Sequence, residues 1–236
     1  YRWVSEYFPV KRHVTNREAC DEKKPYIFLY HPHGIIGMGA NSALNTNGCD
    51  FDLPLQRYGT TLRALFYIPI FRDWIIAHGF VSADKKTLTR LLEAKKSVVL
   101  VPGGAPEAYL AKPNTFQIMQ RRGSLRLAKE TGALLVPVLG FGENDAFSTI
   151  QFDPDSVWYR SQQKVCKLLS FSLPIVSSPF CNASPIDVVM GSPIDPSSTE
   201  DLEATYYDSV QKRYNDNKDR FRHSDIPLEL IASPNS

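Results

Sequence analysis

The stretch Pro25–Ala40, Pro-Tyr-Ile-Phe-Leu-Tyr-His-Pro-His-Gly-Ile-Ile-Gly-Met-Gly-Ala, decides the fold of this 236-residue chain. Residues 26–30 are a short run of aromatic and aliphatic residues, which is typical of a buried strand. Pro32 has no backbone N–H and disfavours helix at His31, so regular strand pairing is predicted to stop there. Gly34 then allows a tight turn or a close approach of another molecule to the backbone. The pattern therefore predicts a strand that ends in a turn carrying histidines.

Two imidazoles, those of His31 and His33, are thereby placed at the end of a strand. Open α/β sheets bind their ligands at the carboxyl ends of strands, and histidine is the side chain best suited to moving protons near neutral pH. The alternative is a polar turn in which both histidines only bond nearby backbone groups. We favour a catalytic role over a purely structural turn, because the two histidines follow an apolar strand.

Composition limits the class of protein. Hydrophobic residues make up 43% of the chain and charged residues 22%, which is typical of a globular protein with a sizeable core. A formal net charge of +2 without a long basic run does not favour nucleic acid as the main partner. The sequence contains no run of about 18 consecutive apolar residues, so it predicts no membrane-spanning helix.

Several enzyme motifs are missing from the sequence. It has no Gly-x-Ser-x-Gly elbow of serine hydrolases and no Walker loop. His31 and His33 lack the His-Glu-x-x-His spacing of zinc enzymes and have no evident third ligand, so we expect no metal site. What remains is a histidine general base without a protein nucleophile. That suits direct transfer, in which histidine takes the proton of a substrate hydroxyl as it attacks an activated acyl group.

Two further apolar strands end in polar motifs. Ser97–Val101 leads into Pro102-Gly103-Gly104-Ala105-Pro106-Glu107, and Ala133–Leu139 leads into Gly140-Phe141-Gly142-Glu143-Asn144-Asp145. Strands and helices alternate at intervals of about 30 residues, which predicts an α/β fold with a mainly parallel central sheet flanked by helices. The three polar strand ends are expected to converge on one edge of that sheet. The remaining predicted elements are helices at Ile35–Leu44, Thr87–Lys95, Ile118–Glu130 and Glu200–Arg220, a short helix ending at His78, and strands at Leu62–Tyr67 and Asp187–Met190.

The domain prediction divides the chain into three parts. Residues 1–24 form a membrane-proximal segment of loop and short helix, residues 25–231 a single domain, and residues 232–236 a disordered tail. The first segment mixes aromatic residues with basic pairs, so it could rest on a membrane surface. A simple docking arm is the alternative.

A histidine base needs a partner that orients its other ring nitrogen. Glu107, Glu143 and Asp73 are the candidates, and an exposed loop carboxylate is the alternative for each. The Gly103–Gly104 turn could offer backbone N–H groups to a developing oxyanion, or could serve only as a tight turn. On the predicted helix Ile118–Glu130, three cations share one face and could bind the phosphates of a carrier such as coenzyme A; they are Arg122, Arg126 and Lys129. A solvated helix face is the alternative there.

Taken together, these motifs resemble the type-2 diacylglycerol acyltransferase family, which includes monoacylglycerol and wax-alcohol acyltransferases. Their order is also similar to that of the wider glycerolipid acyltransferase superfamily. The matching stretches follow one another along nearly the whole chain: Tyr7–Pro9, Tyr30–Gly34, Val101–Glu107, Arg121–Asn144 and Val188–Ile194.

The resemblance implies a glycerolipid-acyltransferase-like fold and assigns roles to residues. His33 would be the general base, His31 would support it structurally or share the proton, and Glu107 would orient it, ahead of Glu143. The predicted substrate-binding residues are Gly34, Gly103, Gly104, Arg122, Arg126, Glu143 and Asn144.

The chain departs from the superfamily pattern at two motifs: the first departure means that another carboxylate must orient the base, and the second points to the acceptor. The fifth residue after His33 is Met38, so the superfamily's orienting Asp is absent. Residues 103–106 stand where the superfamily has Glu-Gly-Thr-Arg, and they contain no Arg. That Arg is thought to hold a phosphate in phosphate-bearing acceptors, so its loss fits a neutral acceptor such as diacylglycerol.

The predicted function is therefore acyl-CoA-dependent esterification of diacylglycerol to triacylglycerol, without a covalent intermediate. Acyl-CoA is a co-substrate, and no cofactor is expected. The expected location is the cytosol-facing surface of the endoplasmic reticulum membrane, with the lipid droplet as a second location, and a homo-oligomer is allowed. Monoacylglycerol, a fatty alcohol or a sterol are alternative acceptors. The loop between Pro174 and Pro185 is shorter than the resemblance leads us to expect. A catalytically silent lipid-binding homologue is therefore a further alternative.

Overall fold

The computed structural model describes residues 6–14, 21–46, 49, 55–150, 153, 156–158, 160, 161, 175, 176 and 182–232. The strands are β1 (Val10–Val14), β2 (Tyr26–His31), β3 (Arg57–Thr61), β4 (Phe80–Ser82), β5 (Ser97–Leu100), β6 (Phe116–Gln120), β7 (Leu134–Phe141), β8 (Thr149–Ile150), β9 (Ile175–Val176), β10 (Ile186–Met190) and β11 (Leu228–Ala232). The α-helices are α1 (Met38–Ala40), α2 (Phe71–Ala77), α3 (Lys85–Glu93), α4 (Gly104–Leu110), α5 (Gly123–Thr131) and α6 (Leu202–Asn217). A π-helical turn spans Asn41–Asn45, and 3-10 turns span Arg63–Tyr67 and Glu143–Asp145.

Within these residues a seven-stranded sheet has the order β1-β10-β7-β2-β5-β3-β4. The strands from β7 to β4 are parallel to one another. β10 runs antiparallel to β7, and β1 pairs in parallel with β10 at the edge of the sheet. Two small pairs lie apart from this sheet, the parallel pair β6–β11 and the antiparallel pair β8–β9. The predicted α/β fold with a mainly parallel sheet is confirmed.

Strand β2 lies at the centre of the sheet and separates two hydrophobic cores. Successive side chains of a strand point to opposite faces, so Ile27 and Leu29 pack into one core. Tyr26, Phe28 and Tyr30 pack into the other. Helices α3, α5 and α6 cover the first core, whereas α1 and the π-helical turn cover the second. Because both faces are covered, all six residues of β2 are buried.

Most predicted elements are found close to their expected positions. The strands predicted to precede the two glycine-rich motifs are β5 and β7, and the one predicted at Asp187–Met190 is β10. The helices predicted at Thr87–Lys95 and Glu200–Arg220 are α3 and α6, and the short helix ending at His78 is α2, of which His78 is the C-cap. The helix predicted at Ile35–Leu44 is divided between α1 and the π-helical turn.

Two predicted elements are wrong. Leu62–Tyr67 is not a strand: the strand lies earlier, at β3, and Arg63–Tyr67 forms an exposed 3-10 turn. The helix predicted from Ile118 begins only at Gly123, because residues 116–120 form β6. Strand β6 pairs with β11, more than a hundred residues later, and such a partner is invisible to local periodicity.

The ends of the chain also differ from the predicted division. Strand β1, within the segment predicted as loop and short helix, pairs with β10, so residues 10–14 belong to the central sheet. Ala232, predicted to begin a disordered tail, pairs with Gln120. Residues 233–236, and residues 177–181 of the loop between Pro174 and Pro185, lie outside the described residues. In the part of the chain that the structure describes, no helix has the length and apolar character needed to cross a bilayer.

Candidate active site

The three polar motifs meet at one edge of the sheet, as predicted. Strands β7, β2 and β5 are direct neighbours and run in parallel, so their carboxyl ends lie side by side. The His-Pro-His-Gly turn leaves the middle strand, with the motif that carries Glu107 on one side and the motif that carries Glu143 on the other.

His31 is the last residue of β2 and is fully buried. It continues the row of Ile27 and Leu29, so its ring faces α6, where Nε2 lies 3.0 Å from the hydroxyl oxygen of Tyr206. Nδ1 is buried and has no hydrogen-bond partner among the described residues. Burial lowers the pKa of His31 to about 3, so the ring is neutral at pH 7. This geometry favours the structural role over the sharing of a proton.

His33 is half-buried and lies just beyond the strand, with Nδ1 3.0 Å from the carbonyl oxygen of Gly34. A carbonyl oxygen only accepts, so Nδ1 carries the proton and Nε2 presents a lone pair. Nε2 has no hydrogen-bond partner in the described part of the chain. Burial lowers the pKa of His33, and the bond to the Gly34 carbonyl partly offsets this. The ring is therefore a neutral proton acceptor at pH 7.

Glu107 lies on α4 and is buried, with 3% of its surface exposed. Its Oε1 accepts the backbone N–H of His33 at 2.5 Å, and Oε2 accepts the backbone N–H of Met119 at 2.8 Å. Burial raises the pKa of Glu107 to about 7, against the two N–H bonds and the nearby charge of Arg121, which lower it. The expectation that this carboxylate bonds the imidazole of His33 is corrected: it holds the backbone, and the Gly34 carbonyl orients the ring.

Glu143, in the 3-10 turn that follows β7, is also buried. Its Oε1 accepts the N–H of Met38 at 2.8 Å, and Oε2 accepts the Tyr30 hydroxyl at 2.6 Å and the N–H of Gly39 at 2.8 Å. Burial raises the pKa of Glu143, and these three bonds lower it. The two carboxylates thus hold the His-Pro-His-Gly turn from both sides: Glu107 binds its middle and Glu143 binds the residues before and after it.

Glycines make room for these carboxylates. Gly34 has φ +59°, and a Cβ built there would lie 2.6 Å from Cγ of Glu143. A Cβ at Gly103 would overlap the Glu107 carboxylate, and one at Gly39 or Gly140 would overlap the Tyr30 hydroxyl. These positions are packed by polar groups of the site itself.

Gly104, proposed as an oxyanion donor, donates its backbone N–H to the carbonyl of Val101 at 3.3 Å. Asn144, predicted to bind substrate, is buried and donates Nδ2 to the carbonyl of Thr115 at 3.0 Å. Both residues therefore stabilise loops beside the site. Asp73, a third candidate for orienting the base, is exposed on α2, in the crossover between β3 and β4.

The cations predicted to bind phosphates differ in their surroundings. Arg122 precedes α5 and forms an ion pair with Glu203, with Nε 2.8 Å from Oε2. Arg126, one turn later, is exposed. Sequence reasoning missed their neighbour Arg121, which is half-buried and close enough to Glu107 to lower its pKa. The backbone N–H of Arg121 donates to the hydroxyl of Tyr207 at 2.9 Å.

Tyr206 and Tyr207 were also missed. Both lie within the helix predicted at Glu200–Arg220. A buried tyrosine needs a hydrogen-bond partner, and that requirement was the available signal. No group of three or more histidine, cysteine or acidic side chains suited to a metal ion occurs among the described residues.

Comparisons with known proteins show which family the chain belongs to. The family model described as diacylglycerol acyltransferase matches residues 1–230. A diacylglycerol O-acyltransferase 1 of Schizosaccharomyces pombe is 36% identical over 211 residues, which are 83% of this chain and 61% of that protein. A diacylglycerol O-acyltransferase 2A of Umbelopsis ramanniana is 33% identical over 98% of this chain and 72% of its own length. A 2-acylglycerol O-acyltransferase 1 of Bos taurus is 32% identical over 94% of this chain and 73% of its own length.

The chain thus spans about three fifths of the length of the Schizosaccharomyces pombe relative. Among solved structures, the 1-acyl-sn-glycerophosphate (LPA) acyltransferase PlsC from Thermotoga maritima superposes with a TM-score of 0.54 at 13% identity. The match covers 92% of this chain and 78% of that protein, and it shows a shared fold. From the family match over nearly its whole length and from these relatives, the chain belongs to the diacylglycerol acyltransferase family.

Proposed function

We propose that this chain is an acyl-CoA-dependent O-acyltransferase that esterifies the free hydroxyl of diacylglycerol to triacylglycerol. The observation that carries the proposal is the state of His33. Its Nδ1–H is bound to the Gly34 carbonyl and its Nε2 lone pair is available, in a turn that two buried carboxylates hold in place. The names of the relatives, which are acyltransferases for diacylglycerol and 2-acylglycerol, support the same reaction class.

In the proposed step, Nε2 of His33 accepts the proton of the acceptor hydroxyl as its oxygen attacks the thioester carbonyl of acyl-CoA. The carbon–sulfur bond breaks and the coenzyme A thiolate leaves. That thiolate then takes the proton from the imidazolium and departs as a thiol, so His33 returns to its starting form. No side chain forms a bond to the acyl group, and no cofactor takes part.

Glu107 acts in this scheme as a positioning residue. It touches the backbone of His33 and not the reacting atoms, so its contribution is to fix where Nε2 lies. General-base catalysis requires the proton acceptor within hydrogen-bond reach of the hydroxyl, and a displaced turn loses that geometry.

The proposed acceptor is neutral. The residues at the start of α4, 103–106, include no cation that could pair with a phosphate group of the acceptor. Monoacylglycerol is the second candidate acceptor, because the Bos taurus relative is named a 2-acylglycerol O-acyltransferase. Arg122 and Arg126 remain proposed for the coenzyme A phosphates, with Arg121 as a third cation nearer to the site.

We further propose that the chain works at a membrane surface, on the cytosolic side of the endoplasmic reticulum, with the lipid droplet as a second location. The acceptor's insolubility in water is the reason. A homo-oligomer is compatible with this placement.

The test measures ester formation from labelled oleoyl-CoA and diacylglycerol in mixed micelles. His33→Ala is expected to lower turnover by about 10²–10⁴-fold, the range for loss of a general base. His13→Ala is the matched control, because His13 lies on β1, three strands away from β2 in the sheet. Equal rates for wild type and His33→Ala would refute the mechanism.

Direct transfer has a separate test. The chain is incubated with labelled oleoyl-CoA without acceptor and then denatured. We expect no label on the protein, whereas stoichiometric labelling would show a covalent acyl intermediate and exclude the direct step.

A further inference from the structure

Large exposed apolar side chains are concentrated in one segment. The described residues include thirteen of them, and seven lie within residues 62–76, which we name the apolar crossover. It includes the 3-10 turn Arg63–Tyr67 and helix α2, and it connects β3 to β4. Tyr67 is 71% exposed and Ile70 is 86% exposed. Such a concentration on a folded surface marks an interaction site.

The apolar side chains point in several directions. On α2, Phe71 and Trp74 stack with ring centroids 5.6 Å apart, whereas Ile76 lies on another side of the helix, and all three are exposed. Ile75 is the buried residue that attaches this helix to the fold. A flat protein partner would cover one face of the segment. An environment that is apolar on several sides suits it better, and the acyl region of a lipid layer provides one.

Ile70 is presented to solvent by an unusual backbone. Its φ is 68°, in the left-handed region, which is an outlier for a β-branched residue. Strained conformations persist where the surrounding structure imposes them, and they cluster at functional positions. Here the strain places an exposed isoleucine in the turn that leads into α2, directly after Pro69.

The charges of the segment complement a phospholipid surface. Arg63 and Arg72 are exposed beside the apolar side chains, and Asp73 is the one acidic residue within 62–76. Trp74 and Tyr67 are the residue types that prefer the boundary between headgroups and acyl chains. A groove of about 320 Å³ crosses this surface, lined by Phe66, Tyr67, Pro69, Ile70, Arg72 and Asp73.

The segment is also close to the candidate active site. The crossover begins at the carboxyl end of β3, which is the edge of the sheet where the His-Pro-His-Gly turn leaves β2. One strand separates β3 from β2, which corresponds to about 10 Å across the sheet. A lipid surface bound there would lie beside the catalytic edge.

From these observations we infer that the apolar crossover docks on a phospholipid bilayer, with Ile70 among the acyl chains, Trp74 at their boundary with the headgroups, and Arg63 and Arg72 at the lipid phosphates. The residues predicted to rest on a membrane were 1–24, so this assigns the contact to a different part of the chain. Docking does not require catalysis, so it is tested without acyl-CoA and its failure is distinct from failure of the proposed reaction.

The experiment is flotation of the chain with vesicles of phosphatidylcholine, alone or with phosphatidylserine. Ile70→Asn is the main variant, because asparagine tolerates a positive φ and circular dichroism can verify its fold. Removing one fully inserted isoleucine is expected to weaken binding by about 10-fold or more. Trp158→Ser is the matched control, since Trp158 is 71% exposed and lies outside the crossover; it is expected to bind as wild type does.

Replacement of Arg63 and Arg72 by glutamine is expected to remove the gain in binding that phosphatidylserine provides, and added salt to do the same. Ile70→Asn is also expected to keep its turnover on detergent-dispersed acceptor, because Ile70 is exposed and has no role in the proposed mechanism.

Three results would overturn the inference. The first is that Ile70→Asn binds vesicles as strongly as the wild type does. The second is that Tyr7→Ser loses vesicle binding while Ile70→Asn keeps it. The third is that the wild type binds no vesicles but forms a dimer, which Ile70→Asn converts to a monomer. The last would identify a second copy of the chain as the partner of this surface.

Discussion

Replacing Gly34 with alanine tests the geometry of the His-Pro-His-Gly turn. Gly34 has φ +59°, and the added Cβ would lie 2.6 Å from Cγ and 2.9 Å from Oε1 of Glu143. The left-handed conformation costs an alanine about 1–2 kcal/mol. Overpacking against the buried carboxylate adds about 1–3 kcal/mol. The expected loss in the free energy of unfolding is therefore about 2–5 kcal/mol, a large share of the 5–15 kcal/mol typical of a domain.

Gly37→Ala is the matched control. Gly37 lies three residues later with φ +65°, but its nearest neighbours are 3.9 Å from the added Cβ. It should lose only the conformational cost of about 1–2 kcal/mol. The difference between the two variants isolates the contact with Glu143.

Urea unfolding followed by circular dichroism gives both free energies, and the oleoyl-CoA assay gives the rates. Turnover should fall further in Gly34→Ala than in Gly37→Ala, because the Gly34 carbonyl holds Nδ1 of His33. Equal losses of stability in the two variants would show that Glu143 does not pack against Gly34, and its assigned role in holding the turn would be wrong.

Four further predictions follow from the ionisable groups. Burial lowers the pKa of His33, so kcat/KM measured against pH should stay flat on descending to 6.5 and fall only below it; a fall centred above 6.5 would contradict this. Burial raises the pKa of Glu107 from 4.5 to about 7, so between these values the folded chain holds a proton that the unfolded chain has lost, and stability should drop by about 3 kcal/mol as pH rises through that window. Glu107→Gln should lack this drop in urea titrations. His31→Phe should lower the free energy of unfolding by about 1 kcal/mol, because the hydrogen bond to Tyr206 is lost, and should leave the acid side of the kcat/KM profile unchanged. A shift of that side of the profile would show that His31 takes part in proton transfer. Arg121→Gln should raise the KM for acyl-CoA more than Arg126→Gln does, because Arg121 lies nearer to the candidate site. A larger increase for Arg126→Gln would instead support the phosphate site first predicted on the exposed helix face.

Local patterning was sufficient for the framework of the site. The buried character of β2, the turn at Pro32 and the adjacency of three strand ends all follow from short stretches of sequence. The different environments of the two histidines could also be predicted from the sequence. His31 lies on the same face of β2 as Ile27 and Leu29, so its side chain enters the core, whereas His33 lies beyond the strand.

Contacts between distant parts of the chain were not accessible. Glu107 was predicted to orient the His33 ring because it follows a strand. Its actual partner, the backbone N–H of His33, depends on how α4 packs against the turn. The helix predicted at Ile118 failed because β11 supplies a strand partner from the end of the chain. The strand predicted at Leu62 failed because apolar character was equated with burial, whereas this segment is exposed.

The glycine and carboxylate contacts around β2 limit how the His-Pro-His-Gly turn can be transferred to another scaffold. Tyr30 needs open space at Gly39 and Gly140, and Glu143 needs it at Gly34. These residues come from separate parts of the chain, so a designer who grafts only His-Pro-His-Gly moves the proton acceptor without the groups that fix it. The smallest portable unit is the turn together with the ends of both neighbouring strands, and changes at these positions should be made jointly.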